Sequence, residues 1–145
     1  MKGNLLLIDD EPILLQSLKS VLEDLADEIY TAENGSKGYE VFKANTVHCI
    51  VCDINMPVMN GVELLKKLQA ENCSVPLIFY TGHGNRELML QAATYGAFDF
   101  LDKPMLFGLE EVVTRALATR NSTAPKSTDD EFMSEYTKML LELEK

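Results

Sequence analysis

Three stretches of the chain, Leu5-Leu6-Leu7-Ile8, Cys49-Ile50-Val51-Cys52 and Leu77-Ile78-Phe79-Tyr80, are apolar without interruption over the length of a strand. A strand with one wet face alternates apolar and polar residues, so unbroken runs mark strands covered on both sides. Each run is followed by a turn and then by apolar residues at helical spacing. Val62, Leu65 and Leu68 recur after Gly61, and Ile13, Leu14, Leu18, Val21, Leu22 and Leu25 recur after Pro12, a residue suited to the first turn of a helix. Ile29-Tyr30 and Phe98 to Leu101 supply weaker strands, while Gly38 to Phe42, Leu88 to Ala93 and Leu109 to Leu117 supply further helices. Strand followed by helix, five times over, predicts an α/β domain with an open parallel sheet.

Right-handed crossovers wind such a sheet in two directions, and its ligands sit outside the carboxyl ends of the strands where the order reverses. The residues at those ends are Asp9-Asp10, Asp53, Thr81 and Lys103. One shared site is therefore expected. At about 4 Å and an effective dielectric near 20, each pair of like charges repels by roughly 4 kcal/mol, so three clustered carboxylates need a cation or must take up protons. All-oxygen donors favour a hard ion such as Mg²⁺, and His48 and His83 form no ligand-spaced pair that would favour Zn²⁺. Taken alone, Asp9-Asp10 also reads as a solvated acidic turn capping the next helix.

Lys103 changes that balance, because a single ammonium facing metal-bound carboxylates suits an anion with several oxygens. Thr81 offers a hydroxyl to the same group, and Gly82 and Gly84 leave the approach open. Asp53, alone after a buried strand, is the residue best placed to take a phosphoryl group as an acyl phosphate.

In combination, Ile8-Asp9-Asp10-Glu11, Asp53-Ile54-Asn55-Met56-Pro57 with Gly61, Thr81-Gly82 and Phe100-Leu101-Asp102-Lys103-Pro104 resemble the receiver domain of bacterial two-component response regulators, from about Asn4 to about Arg120. The resemblance implies a flavodoxin-like, doubly wound five-stranded parallel sheet of order 2-1-3-4-5 with five helices. It further implies Asp53 as phosphoacceptor, and Mg²⁺ held by Asp10, Asp53 and the backbone carbonyl of Asn55, with Asp9 joining through water. Thr81 and Lys103 would contact the phosphoryl oxygens, and the peptide bond before Pro104 would be cis. A histidine kinase or phosphotransfer protein would supply the phosphoryl group, and the receiver would catalyse only its own phosphotransfer and dephosphorylation.

By the same resemblance, Thr81 and Phe100 form the switch that alters the face made by the fourth helix, fifth strand and fifth helix, for a downstream protein target. Phe100 also fits a plain strand-core position, given its alternation with Phe98. Asn55 and His83, two residues beyond Asp53 and Thr81, stand where family members tune attack by water on the acyl phosphate. His83 reads equally as an exposed loop residue.

Within 145 residues, 13 basic against 23 acidic side chains give a formal net charge of -10, which argues against nucleic acid as a partner. No apolar run predicts a leader or a membrane span, so a cytoplasmic location is expected. Cys49 and Cys52 form a C-x-x-C pair inside a strand, where they face opposite sides and suit neither metal nor redox chemistry. The expected organisation is a receiver domain over 1–120, a linker over 121–128 and an amphipathic helix over 129–145. Phe132, Tyr136, Met139, Leu140 and Leu143 form the stripe of that helix, behind a capping box of Thr128 and Glu131. A homodimer through the switch face or through this last helix is one expected use of it. Beside the signalling receiver stand two other classes: a metal-dependent phosphatase with an aspartyl nucleophile, and a scaffold receiver that is not phosphorylated. The phosphatase class wants a second Asp two residues beyond the nucleophile, where this chain has Asn55.

Overall fold

The computed structural model describes residues 2–82, 86–103 and 106–119. The expected linker and last helix, Arg120, Pro104, His83 and Gly84 lie outside the described residues. The unbroken apolar runs form the centre of the sheet: β1 (Asn4–Ile8), β3 (Cys49–Cys52) and β4 (Leu77–Thr81), with β2 (Glu28–Ala32) and β5 (Asp99–Asp102) at its edges. All pairings are parallel and the order is β2-β1-β3-β4-β5. β1, β3 and β4 are almost wholly buried, whereas β2 is half-exposed.

Helices cover both faces because alternate residues of each strand point to opposite sides. Leu5, Leu7, Cys49, Val51, Ile78 and Tyr80 pack against α1 (Pro12–Leu22) and α5 (Leu106–Ala118). Leu6, Ile8, Ile50, Cys52, Leu77, Phe79 and Phe100 pack toward α2 (Gly35–Ala44), α3 (Gly61–Ala70) and α4 (Arg86–Thr94). Cys49 and Cys52 thus fall on opposite faces, both buried and unbridged, as their spacing predicts.

Helix starts follow their local chemistry. Pro12 opens α1 without a side-chain cap, Asn34 Oδ1 accepts from Lys37 N–H at α2, and Asn60 with Glu63 forms a capping box at α3. Ile13, which the helical spacing places on the apolar stripe of α1, is instead 81% exposed. The buried residues are Leu15, Leu18 and Leu22. Ile13 lies about 200° round the helix from Leu15, so it faces water. Leu25 also leaves the α-helix, falling in a 3-10 turn over Glu23–Leu25.

Candidate functional site

The hydrogen-bond ladder runs one residue past the central strands and carries the acidic residues to one place. Asp9 N–H donates to the Ala32 carbonyl at 3.1 Å, and Asp53 N–H donates to the Ile8 carbonyl at 3.0 Å. Asp53 is thereby aligned beside Asp9 at the β1/β3 boundary, where the strand order reverses. On the other side, Lys103 N–H donates to the Thr81 carbonyl at 3.0 Å, tying the end of β5 to the end of β4. Four strand ends therefore converge on one edge of the sheet.

Asp9, Asp10 and Asp53 each offer a carboxylate oxygen, and these oxygens lie within 4.8 Å of one another. Asp10 is exposed while Asp9 and Asp53 are buried. Lys103 Nζ reaches into the cluster, donating to Asp9 Oδ2 at 2.9 Å and to Asp53 Oδ2 at 3.3 Å. Asp9 Oδ1 accepts from Glu11 N–H at 2.9 Å. That bond accounts for the turn-like reading of the acidic pair without excluding the site, since Asp9 serves both.

Burial pushes the Asp9 carboxyl above its ordinary range, and the negative charge of Asp53 adds to the rise. The bonds from Lys103 and Glu11 oppose it without cancelling it. For Lys103 burial works against the charge, but the bond to Asp9 and the charge of Asp53 outweigh burial and hold the ammonium above its usual value. A single ammonium shared between two carboxylates compensates neither fully, which is why a further cation fits here. Next to the cluster, burial and the charges of Asp53 and Asp9 push the Cys52 thiol well up, and its Sγ donates to the Asp53 carbonyl.

The structure thus brings together Asp9, Asp10, Asp53 and Lys103, with Thr81 buried at the adjoining strand end. Asn55 follows Asp53 in the loop with its side chain exposed. Phe100 is buried, its ring stacked on Phe79 at a centroid distance of 5.7 Å. In sequence Phe79 is one more apolar residue of a buried strand, and only the fold makes it the partner of Phe100. Its signal lay in the pairing of β4 with β5, which sets the two rings opposite each other.

A doubly wound parallel sheet whose switch point gathers carboxylates against one lysine defines a class of protein that handles phosphoryl groups beside a hard cation. The chain belongs to the response regulator receiver domain family, which matches residues 5–116. It is 32% identical over 103 residues to the transcriptional regulatory protein FixJ of Bradyrhizobium diazoefficiens, covering 71% of this chain and 50% of that protein. It is 37% identical over 122 residues to the C4-dicarboxylate transport transcriptional regulatory protein DctD of Pseudomonas aeruginosa, covering 79% of this chain and 25% of that protein. The chain therefore spans half or less of the length of these curated relatives. Among solved structures, a response regulator receiver domain protein of Clostridium thermocellum superposes with a TM-score of 0.75 at 29% identity, covering 82% of this chain and 97% of that one. A CheY-like receiver domain protein of Methanospirillum hungatei gives a TM-score of 0.77 at 25% identity, over 83% and 98% of the two chains. Phosphorylation-activated signalling is the function these similarities carry. No described helix is long and apolar enough to cross a membrane.

Proposed function

We propose that Asp53 is the phosphoacceptor, taking its phosphoryl group from a phosphohistidine on a histidine kinase or phosphotransfer protein. A carboxylate oxygen of Asp53 attacks phosphorus, the phosphorus–nitrogen bond breaks, and the electron pair leaves on the imidazole nitrogen, which takes up a proton. The observation that carries this reading is Lys103 Nζ standing between Asp9 and Asp53, because an ammonium there faces whatever is added to Asp53. Moving from the carboxylates to the incoming group, it neutralises charge on the equatorial phosphoryl oxygens. Thr81, at the end of β4, donates its hydroxyl to another of those oxygens.

The three carboxylates fit Mg²⁺, which Asp10, Asp53 and the Asn55 carbonyl would hold, with Asp9 acting through water. When bound, the ion neutralises phosphoryl charge that Lys103 alone leaves uncompensated. Thr81 and Phe100 form the switch, and the surface of α4, β5 and α5 meets a downstream protein target or a second copy of the chain. Asn55 and His83 tune attack by water on the acyl phosphate. The chain acts catalytically on its own phosphoryl group alone, in the cytoplasm, where its free thiols suit a reducing environment. FixJ and DctD, named as transcriptional regulatory proteins, are longer proteins, and for this chain the excess of acidic residues favours protein over nucleic acid as the partner.

Incubation with Mg²⁺ and acetyl phosphate, followed by intact-mass measurement, tests the proposal. One added phosphoryl group is expected, and none in Asp53→Asn. Continued release of phosphate without limit would instead mark a phosphatase, and no adduct at all a scaffold.

A further inference from the structure

Lys103 reaches its carboxylates from the far side of β4, and one buried residue lies along the route. Val51 pairs with Ile78 and Cys52 with Phe79, so the next pair along β3 and β4 is Asp53 with Tyr80. Val51, Ile78 and Tyr80 all face α1 and α5, and alternation puts Asp53 and Asp9 on that same face. Tyr80 therefore flanks Asp53 from β4 as Asp9 flanks it from β1. On β5, Leu101 pairs with Tyr80, and Lys103 follows two residues later on the same face. To donate to Asp53 and Asp9, the lysine stem has to cross the end of β4. It does so over Gly82, where a Cβ would lie 3.6 Å from Lys103 Cδ and 3.9 Å from Lys103 Cβ. Gly82 stands two residues past Tyr80 and continues its face, so the Tyr80 ring lies on the core side of that crossing. Tyr80 is 1% exposed, and its hydroxyl bonds nothing among the described residues.

We propose that Tyr80 is a positioning residue for Lys103, its ring closing the space beneath the lysine stem so that the ammonium stays across Asp53 and Asp9. The proposal rests on Asp53 as phosphoacceptor and on Lys103 as the cation that meets the phosphoryl group. A lysine carries its charge on a flexible four-carbon stem with no planar fork to fix its end, so its geometry has to come from the walls around it. Asp9 and Asp53 restrain the ammonium at one end, and the bond from Lys103 N–H to the Thr81 carbonyl restrains the backbone at the other. Between them Gly82 offers no side chain, and the wall below is the Tyr80 ring. Burial raises the phenol above its ordinary value, with the Lys103 charge opposing and the Asp9 charge adding, as expected of a group that lies near both. What the stem needs is the ring and not the hydroxyl, which has no partner to lose.

Tyr80→Leu opens room beneath the stem, and Tyr80→Phe keeps the ring. With acetyl phosphate and Mg²⁺, Tyr80→Leu should be phosphorylated about ten- to a hundredfold more slowly than wild type, the cost of a misplaced group, while Tyr80→Phe keeps the wild-type rate. An ammonium that withdraws no longer competes for the carboxylates, so Tyr80→Leu should also bind Mg²⁺ roughly threefold more tightly. In a Lys103→Met background the same substitution should leave Mg²⁺ affinity unchanged, because no ammonium remains to be placed. General damage to the site would instead weaken Mg²⁺ binding, and would do so in either background. A wild-type rate in Tyr80→Leu, Mg²⁺ binding no tighter than wild type, a change that persists without Lys103, or a slow Tyr80→Phe overturns the proposal and leaves the phosphoacceptor intact. Absence of an adduct in the wild-type protein strikes the Asp53 assignment and takes this proposal with it. Should Tyr80→Leu fail to fold, spectra of the wild-type protein decide. Nuclear Overhauser contacts between the Tyr80 ring and the Lys103 stem are expected, and their absence refutes the proposal.

Discussion

The ammonium of Lys103 lies 2.9 Å from Oδ2 of Asp9, a residue 94 positions earlier in the chain. The contact is shorter than the one Lys103 makes to Asp53, so the lysine is anchored chiefly on Asp9.

Lys103→Met keeps the aliphatic stem and removes that countercharge. Without metal, the variant should lose about 1–3 kcal/mol of stability, the usual worth of a hydrogen bond to a charged group in a poorly solvated place. Mg²⁺ should restore part of the loss and should bind the variant more tightly than wild type, since no ammonium competes for the carboxylates. Urea titrations with and without Mg²⁺ check both. A metal-free midpoint equal to wild type would show that the ion pair contributes nothing.

A pH dependence follows from Asp9. Its carboxyl is raised in the folded protein, so its contribution to stability is fully present below the ordinary value of 3.8 and is lost as pH rises through the higher folded value. Lys103, also raised, loses its contribution only in alkali and does not titrate in this window. Asp9→Asn cannot ionise, so without metal it should be more stable than wild type at pH 7. The gap should close as pH falls toward 3.8. Denaturation of both proteins at several pH values measures that difference directly, and a gap that widens on acidification reverses the assigned sign.

Tyr80 supplies a prediction away from the charges. Its hydroxyl is buried on the α1/α5 face and has no hydrogen-bond partner among the described residues. An unmatched buried hydroxyl forfeits its hydration for nothing in return, so Tyr80→Phe should stabilise the protein by about 1 kcal/mol. Equilibrium unfolding reads the change. Destabilisation by the variant would mean that the hydroxyl is satisfied by an ordered water.

How much of this was legible in the sequence depends on which interactions are local. The runs ending at Ile8, Cys52 and Tyr80 gave the central strands because full burial leaves an unbroken apolar signature. The edge strand β5 begins at Asp99 rather than Phe98: Asp99 is buried but paired with Arg115 of α5, a contact across 16 residues that strand patterning does not reveal. Asp9, Asp10, Asp53 and Lys103 could be gathered because the switch-point rule converts strand ends into neighbours. Ile13 was misplaced because two adjacent apolar residues cannot both define the phase of a helix, and only the packed set Leu15, Leu18 and Leu22 does. The Phe79–Phe100 stack and the Lys103–Asp9 contact depend on register and rotamer, which no spacing encodes.

Val58 departs from what its residue type prefers. It sits at φ 72° in the loop after β3 and is 81% exposed, while Met59 N–H donates to the Pro57 carbonyl at 2.8 Å across it. A three-residue turn with positive φ at its centre is strained for any L residue and most so for a β-branched one. The strain costs roughly 1–2 kcal/mol, and its relief in Val58→Gly is offset by about 0.5–1 kcal/mol of extra chain entropy in the unfolded state. Because the side chain is so exposed, almost no burial is lost. Val58→Gly should therefore raise stability by about 0.5–1 kcal/mol, and Val58→Ala should gain less because it keeps a Cβ at positive φ. Thermal or urea unfolding of the two variants beside wild type checks the ordering. If alanine equals or exceeds glycine, backbone strain is not what limits this turn.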